Sequence, residues 1–284
     1  MILFKKATDL HNYLDSQSEK NNKHGFIPTM GALHAGHISL IETSKKENTV
    51  TVCSIFVNPM QFNDPNDFEK YPVTLEKDIY LLETAGCDVL FLPSVNEIYP
   101  DDVSPQRHYD LGYPETVLEG KYRPGHFQGV CMVVHRLLDI IKPGHLYLGQ
   151  KDYQQSLIIT RLIDLIGLRQ LIKVVVCPTL REPDGLAMSS RNLRLGTEER
   201  KKAATIFRCL CFIKENLKKG GLTELKEQAA GMLGENNFKP DYVEIADSNT
   251  LEPVRHWDGK QKLVALIAAF INDVRLIDNM RLNE

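Results

Sequence analysis

The chain has 284 residues, 43% hydrophobic and 25% charged, which suits a globular protein of one large domain or two modest ones. Its formal net charge of -3 argues against general binding to nucleic-acid backbones or anionic membranes. No apolar run reaches the ~20 residues of a membrane span, and Met1-Ile2-Leu3-Phe4-Lys5-Lys6 puts its apolar residues ahead of its charges, the reverse of a secretory signal, so a soluble cytoplasmic protein is expected.

The first two-thirds alternates short β-rich runs with helical patterns. Strands are predicted at Phe26 to Pro28, Thr49 to Val57, Val89 to Leu92, His145 to Leu148 and Leu171 to Val176. Between them Val130, Val133, Val134, Leu137, Leu138 and Ile141 form one helical stripe, and a second helix is predicted from Tyr153 to Ile166. Strands alternating with helices predict an α/β fold with a Rossmann-like parallel sheet, whose ligands belong at the carboxyl ends of the strands.

After Pro178 the pattern changes to a polar loop, Arg181-Glu182-Pro183-Asp184-Gly185, then a helix opening at Thr197 with Glu198 and Glu199 placed against its dipole. A helix from about Thr223, a strand at Tyr242 to Ala246, and two apolar segments, Leu263 to Phe270 and Val274 to Ile277, follow. The last two flank Asn272-Asp273 and read as a hairpin. The expected division is residues 1–178, a nucleotide-binding α/β domain, and 179–284, a smaller α+β domain. Six scattered cysteines form no Cys-x-x-Cys pair, and Cys209 and Cys211 on one helix point to different faces, so reduced core thiols are expected.

Chemistry concentrates at the predicted strand ends. In Met30-Gly31-Ala32-Leu33-His34-Ala35-Gly36-His37 a strand passes through small residues into a helix. Gly36 permits close backbone approach, the helix start offers free N–H groups, and two imidazoles can donate to phosphate oxygens. Taken alone, two histidines flanking a tight turn could merely satisfy local hydrogen bonds. Asn58-Pro59-Met60-Gln61 ends the next strand in amides that can donate and accept without titrating, which suits a hydroxy acid.

With the further stretches Leu118-Glu119-Gly120, Arg123-Pro124-Gly125-His126-Phe127-Gln128-Gly129-Val130, Gly149-Gln150-Lys151-Asp152-Tyr153-Gln154-Gln155 and Asp184 to Asn192, the chain resembles the pantoate-beta-alanine ligase family, within the nucleotidyltransferase superfamily with an H-x-G-H motif. The resemblance implies a homodimer joined through its N-terminal domain that uses ATP and Mg2+. Pantoate would attack the α-phosphate to give pantoyl-adenylate and pyrophosphate, and β-alanine would then displace AMP to give pantothenate.

It also implies residue roles. Met30 to His37 and Gly149 to Asp152 line the ATP site, with His34, His37 and Lys151 catalytic and His37 the proton donor. Met188, Ser189, Ser190 and Arg191 form a mobile loop that clamps phosphates. Gln61 and Gln155 hold pantoate, Gln61 also meeting β-alanine, and Asn63 to Tyr71 form a lid. Two positions depart from the family pattern: Val73 replaces a frequent Arg, and Gln150 a frequent Glu. No metal ligand is assigned, Asp78 being only a candidate. A nucleotidyltransferase that keeps the nucleotide in its product, or a silent nucleotide-binding module, would share part of this motif set.

Overall fold

Successive side chains of a strand point to opposite faces, and the apolar runs of the first half of the chain bury both. Phe26, Val52, Phe91 and Leu146 pack on one side of a sheet while their neighbours Ile27, Cys53, Leu90 and Tyr147 pack on the other. This is the two-faced burial of a parallel sheet covered by helices. The computed structural model describes residues 1–18, 24–100 and 107–283. Its larger sheet comprises β1 (Ile2–Phe4), β2 (His24–Thr29), β3 (Val50–Ile55), β4 (Val89–Phe91), β5 (His145–Gly149) and β6 (Lys173–Cys177), all parallel, in the order β1-β4-β3-β2-β5-β6.

The helices of this part are α1 (Ala7–Ser18), α2 (Ala35–Glu47), α3 (Pro65–Glu69), α4 (Leu75–Thr84), α5 (Val95–Ile98), α6 (Glu119–Tyr122), α7 (His126–Ile141) and α8 (Tyr153–Leu165). The stripe predicted from Val130 to Ile141 is the buried face of α7. From β2 the chain runs outward to β3 and β4 on one side and later to β5 and β6 on the other. Strand order therefore reverses between β2 and β5, which opens a crevice at their carboxyl ends.

The C-terminal part holds α9 (Thr197–Ala203), α10 (Thr205–Glu215), β7 (Gly220–Gly221), α11 (Thr223–Glu235), β8 (Phe238–Asp247), β9 (His256–Trp257), β10 (Leu263–Ile271) and β11 (Val274–Arg281). β8, β10 and β11 form an antiparallel sheet, and β10 turns into β11 through Asn272-Asp273 with Asn272 left-handed at φ 49°. Leu263, Ala265, Ile267 and Ala269 face a core shared with α10 and α11, while Val264 and Leu266 pack on Leu118 and Tyr153 of the first part. Burial on both faces explains why β10 is apolar without interruption.

Several predicted limits shift. β6 starts at Lys173 because Leu171, 69% exposed, lies in the preceding turn. β3 spans less than the predicted Thr49 to Val57. β8 and β11 run longer than predicted because their charged residues are paired: Asp241 meets Arg275, and Asp278 meets Arg181. The sequence predicts neither β1, a three-residue edge strand, nor α1, nor α4. The segment expected as a lid, Asn63 to Tyr71, contains the short helix α3, capped by Asp64. Among the described residues no helix is long and apolar enough to cross a membrane.

Candidate active site

The chain leaving β2 must turn sharply to start α2, and it does so with two successive left-handed residues, Gly31 at φ 83° and Ala32 at φ 49°. A non-glycine residue there is strained, and Asp78 of α4 offsets the strain. Its Oδ2 accepts from Ala32 N at 2.9 Å, and its Oδ1 accepts from Leu33 N at 2.7 Å and Thr74 Oγ1 at 3.0 Å. Both oxygens are thus spent on shaping the loop. This removes Asp78 as a metal-ligand candidate, and among the described residues no group of three or more His, Cys, Asp or Glu could hold a metal ion.

His34 is the N-cap of α2, its Nδ1 accepting from Gly36 N at 3.1 Å, and His37 Nδ1 accepts from His34 N at 3.3 Å. Each ring therefore carries its proton on Nε2. Burial, with the neighbouring His37 and Lys151 charges, brings His34 down to about 3; burial and then Lys151 bring His37 to about 4. Both are neutral Nε2–H donors at neutral pH. Gly36 leaves room for the His34 ring, since a Cβ there would lie 2.9 Å from it.

Across the switch point, Lys151 follows β5 with its side chain 17% exposed and 3.6 Å from Asp152. Its backbone is held from the C-terminal sheet: Asn279 Nδ2 donates to the carbonyls of Gln150 and Lys151 at 2.9 and 2.8 Å. Gln150 reaches Asn279 Oδ1 at 3.5 Å. Two adjacent glutamines then divide. Gln154 is locked inward, bonded to Glu119 N, Pro114 O and Val117 O, whereas Gln155 lines the cleft, its amide without a hydrogen bond among the described residues.

Gln61 sits in a short turn, Pro59–Gln61, after β3. Its Oε1 accepts from Asn58 Nδ2 at 3.2 Å and its Nε2 lies 3.0 Å from Met30 Sδ. The turn rests on α7 at Gly129, whose carbonyl accepts from Asn58 Nδ2 at 3.0 Å. His126 Nδ1–H donates to the Gln61 carbonyl at 2.8 Å, so His126 Nε2 is the acceptor for Arg123 Nη1 at 3.1 Å. Burial first, then Arg123, brings His126 down to about 3.

The Met188 to Arg191 loop reaches the cleft from the other side, but its hydroxyls are partly engaged. Ser190 Oγ donates to Ala32 O at 3.0 Å, while Ser189 Oγ accepts from Arg191 N and donates to none of the described residues. Arg191 and Arg194 both clasp Asp67 of α3, at 2.7 and 3.0 Å, tying the lid to the clamp. Burial alone would raise Asp67, but Arg191 holds its carboxyl below the usual range. Further along, Glu119 is gripped by both ends of Arg275; burial pushes its carboxyl up, and Arg275 with Arg123 brings it down to about 2.

One cleft of about 250 Å³ is lined by Met30, His34, Gly36, His37, Gln61, Gly149, Lys151, Asp152, Gln155 and Met188 to Arg191. A neighbouring cavity of about 580 Å³ shares its Lys151, Asp152, Ser189 and Arg191 wall. Gly31, Ala32, Leu33, Ala35 and Gln150, also expected at the nucleotide, do not line this cleft: Gly31, Ala32 and Leu33 are buried, Gln150 is half-buried and Ala35 is exposed. Asp78 was considered only for metal contact, and Arg123, His126, Gly129, Arg275 and Asn279 were left without a role. Of these last five, Arg123, His126 and Gly129 carried a signal, as part of one of the family-like stretches.

A family model described as Pantoate-beta-alanine ligase matches residues 2–281. The chain is 46% identical over 283 residues to the pantothenate synthetase of Cytophaga hutchinsonii, covering 99% of each chain. It is 43% identical over 288 residues to that of Bacteroides fragilis, covering 97% of this chain and 99% of the relative. The crystal structure of pantothenate synthetase from Thermus thermophilus superposes with a TM-score of 0.91 at 38% identity over the full length of both chains. The pantoate-beta-alanine ligase of Francisella tularensis, complexed with Beta-gamma ATP and Beta-alanine, matches with a TM-score of 0.79 at 39% identity, covering 99% of this chain and 98% of the other.

Proposed function

The chain belongs to the pantoate-beta-alanine ligase family, and we propose that this one cleft makes pantothenate from pantoate, β-alanine and ATP, with the residues in the roles that follow. The observation that carries the assignment is the convergence of two donor sets at the β2/β5 switch point. His34, His37, Lys151, Ser189 and Arg191 suit phosphates, and Gln61 and Gln155 present neutral amides.

In the first half-reaction a pantoate carboxylate oxygen attacks the α-phosphate, and the bond to the leaving pyrophosphate breaks. Negative charge grows on the phosphoryl oxygens and the leaving group, where fixed donors are most effective. Lys151 supplies a held ammonium there, and His34 and His37 supply Nε2–H groups. A neutral imidazole serves here because an approaching triphosphate raises its basicity, letting His37 act as the proton donor on the developing charge. Arg191, released from Asp67, joins the departing pyrophosphate.

Gln61 and Gln155 orient pantoate without adding a charge that would pair with its nucleophilic oxygen. In the second half-reaction the β-alanine amine attacks the acyl carbon, AMP leaves, and an amide remains. The acyl-adenylate is prone to hydrolysis, and the Arg194–Asp67 pair, which remains when Arg191 is released, keeps α3 on the clamp turn and water out.

Mg2+ enters as part of the MgATP substrate. Among the described residues the chain offers no ligand cage of its own, which suits an ion that keeps several waters and binds chiefly through phosphates. Further parts of the proposal are a phosphate- and pantoate-binding domain over residues 1–178 with a smaller domain over 179–284, a homodimer joined through the first of these, and a cytoplasmic location. Sedimentation at micromolar concentration tests the dimer, and a monomeric mass removes it.

The deciding experiment measures pantothenate and AMP formed from the three substrates, together with exchange of labelled pyrophosphate into ATP without β-alanine. Exchange should require pantoate. Exchange that proceeds without pantoate, or that waits for β-alanine, would overturn the acyl-adenylate order.

A further inference from the structure

The Lys151 ammonium is effective only where charge develops, yet the turn that carries it has little of its own to aim it. Gln150–Asp152 is one short turn between β5 and α8, with no side-chain cap at its start or at the start of α8. The ion pair of Lys151 with Asp152 spans 3.6 Å. A flexible four-carbon stem on an unbraced turn sweeps a wide arc.

The brace comes from the other sheet. Asn279 of β11 is buried, at 2% exposure, and its Nδ2 donates to two successive carbonyls, those of Gln150 at 2.9 Å and Lys151 at 2.8 Å. These carbonyls belong to the two peptide planes that flank the Lys151 Cα. Each plane is rigid, so the orientation of the pair is the φ and ψ of Lys151. One carboxamide thereby fixes the direction in which the Lys151 side chain leaves the turn.

Asn279 is itself locked. Its N–H donates to Asp278 Oδ1 at 2.8 Å, its carbonyl accepts from Arg181 Nη2 at 3.4 Å, and Arg181 meets both Asp278 oxygens, at 2.6 and 3.1 Å. Arg181 stands at the base of the clamp segment, bridged to Ala187 and donating to Gly185 O at 3.0 Å. A continuous run of bonds therefore joins the clamp base, β11 and the Lys151 turn.

We propose that Asn279 is the positioning residue for Lys151, so that the C-terminal sheet takes part in the first half-reaction by aiming the ammonium at the breaking bond. The inference rests on the ligase reading above. Both Nδ2 protons are engaged by the turn, and Oδ1 faces Gln150 Nε2 at 3.5 Å, so Asn279 acts on phosphate through Lys151. A misdirected ammonium loses stabilisation made in the transition state, which lowers kcat and kcat/KM together.

The test compares Asn279→Ala and Asn279→Asp with the unaltered enzyme; the second keeps the shape and removes both donors. In pantoate-dependent pyrophosphate exchange each should lower kcat about 100-fold, the size of a misplacement of about 1 Å, with KM for ATP and pantoate within about threefold. Supplied pantoyl-adenylate should still react with β-alanine within about threefold of the original rate, since that step expels no pyrophosphate. On a Lys151→Ala background, Asn279→Ala should add less than about threefold to the loss in exchange.

Unchanged exchange overturns the proposal. So does a loss of equal size in the two half-reactions, a loss carried by KM, or the full loss repeated on the Lys151→Ala background, because each means that Asn279 holds the fold rather than the ammonium. If neither variant folds, a crystal structure of the unaltered enzyme with pantoate and a non-hydrolysable ATP analogue decides. Both Asn279 bonds should persist with Lys151 Nζ at the phosphates, and either bond broken in that complex overturns the proposal. Absence of pantoate-dependent exchange in the unaltered enzyme would instead defeat the ligase reading itself.

Discussion

Replacing Gly129 by alanine puts a Cβ 2.1 Å from the carbonyl oxygen of Met60, 2.5 Å from its carbonyl carbon and 2.7 Å from Cα of Gln61. Non-bonded heavy atoms settle near ~3.5 Å, so either α7 or the Pro59–Gln61 turn must retreat by roughly 1 Å. The obstruction is backbone, which no rotamer change relieves. The hydrogen bonds from Asn58 Nδ2 to the Gly129 carbonyl, 3.0 Å, and from His126 to the Gln61 carbonyl, 2.8 Å, hold the turn in place and would be stretched. Overpacking of this kind costs about 1–3 kcal/mol of stability, and a misplacement of about 1 Å in a positioning group costs about 100-fold in rate. We expect Gly129→Ala to remain folded with a lowered melting temperature. Its kcat/KM for pantoate in pyrophosphate exchange should fall about 100-fold while KM for ATP stays close to that of the unaltered enzyme. Pantoate kinetics within about threefold of the original would refute the claim that the α7 contact positions Gln61, and an equal loss toward ATP would assign the effect to general disruption.

Gln155→Ala should weaken pantoate use by about 1–3 kcal/mol without lowering the melting temperature, whereas Gln154→Ala should act chiefly on stability because it strands Glu119 N, Pro114 O and Val117 O; matching kinetics and melting curves for the two variants would refute the division. Asp67→Asn removes the shared partner of Arg191 and Arg194, and the variant should release more AMP than pantothenate as the acyl-adenylate leaks to water, so a product ratio that stays at one would count against the clasp. His34, His37 and His126 have values brought down to about 3, 4 and 3, each below the ~6.5 of an unfolded chain. With the folded value lower, the unfolded chain takes the proton first on acidification, so stability held above about pH 6.5 should be lost progressively towards about pH 4. Urea midpoints at about pH 7 and about pH 5 check this, and a midpoint that does not fall at the lower pH contradicts neutral buried rings.

Periodicity and composition were enough to read the α/β class, the main buried helix and the hairpin at Asn272-Asp273, because these depend on contacts near in sequence. The phosphate loop was legible for the same reason: strand, turn and helix cap lie within Pro28 to His37, and His34 and Gly36 make their capping contacts within the loop itself. The local motif could not show what holds that loop. Asp78 lies 46 and 45 residues from the amides it binds, and a lone acidic residue in a helix first turn reads equally as a dipole partner or a ligand.

Gln154 and Gln155 are chemically alike, and the family resemblance alone singled out Gln155; the physical reason is the packing of α8 against the Glu119 segment, which turns Gln154 inward and leaves Gln155 in the cleft. The same limit applies to charge. Sequence reasoning assigned Arg191 to phosphate from its motif, but that it is neutralised by Asp67, that Ser190 is committed to Ala32, and that Arg123 lies 3.7 Å from Glu119 are outcomes of pairing among residues up to 158 positions apart. Local chemistry is written in adjacent residues; the match or mismatch of buried charges exists only once the two sheets are brought face to face.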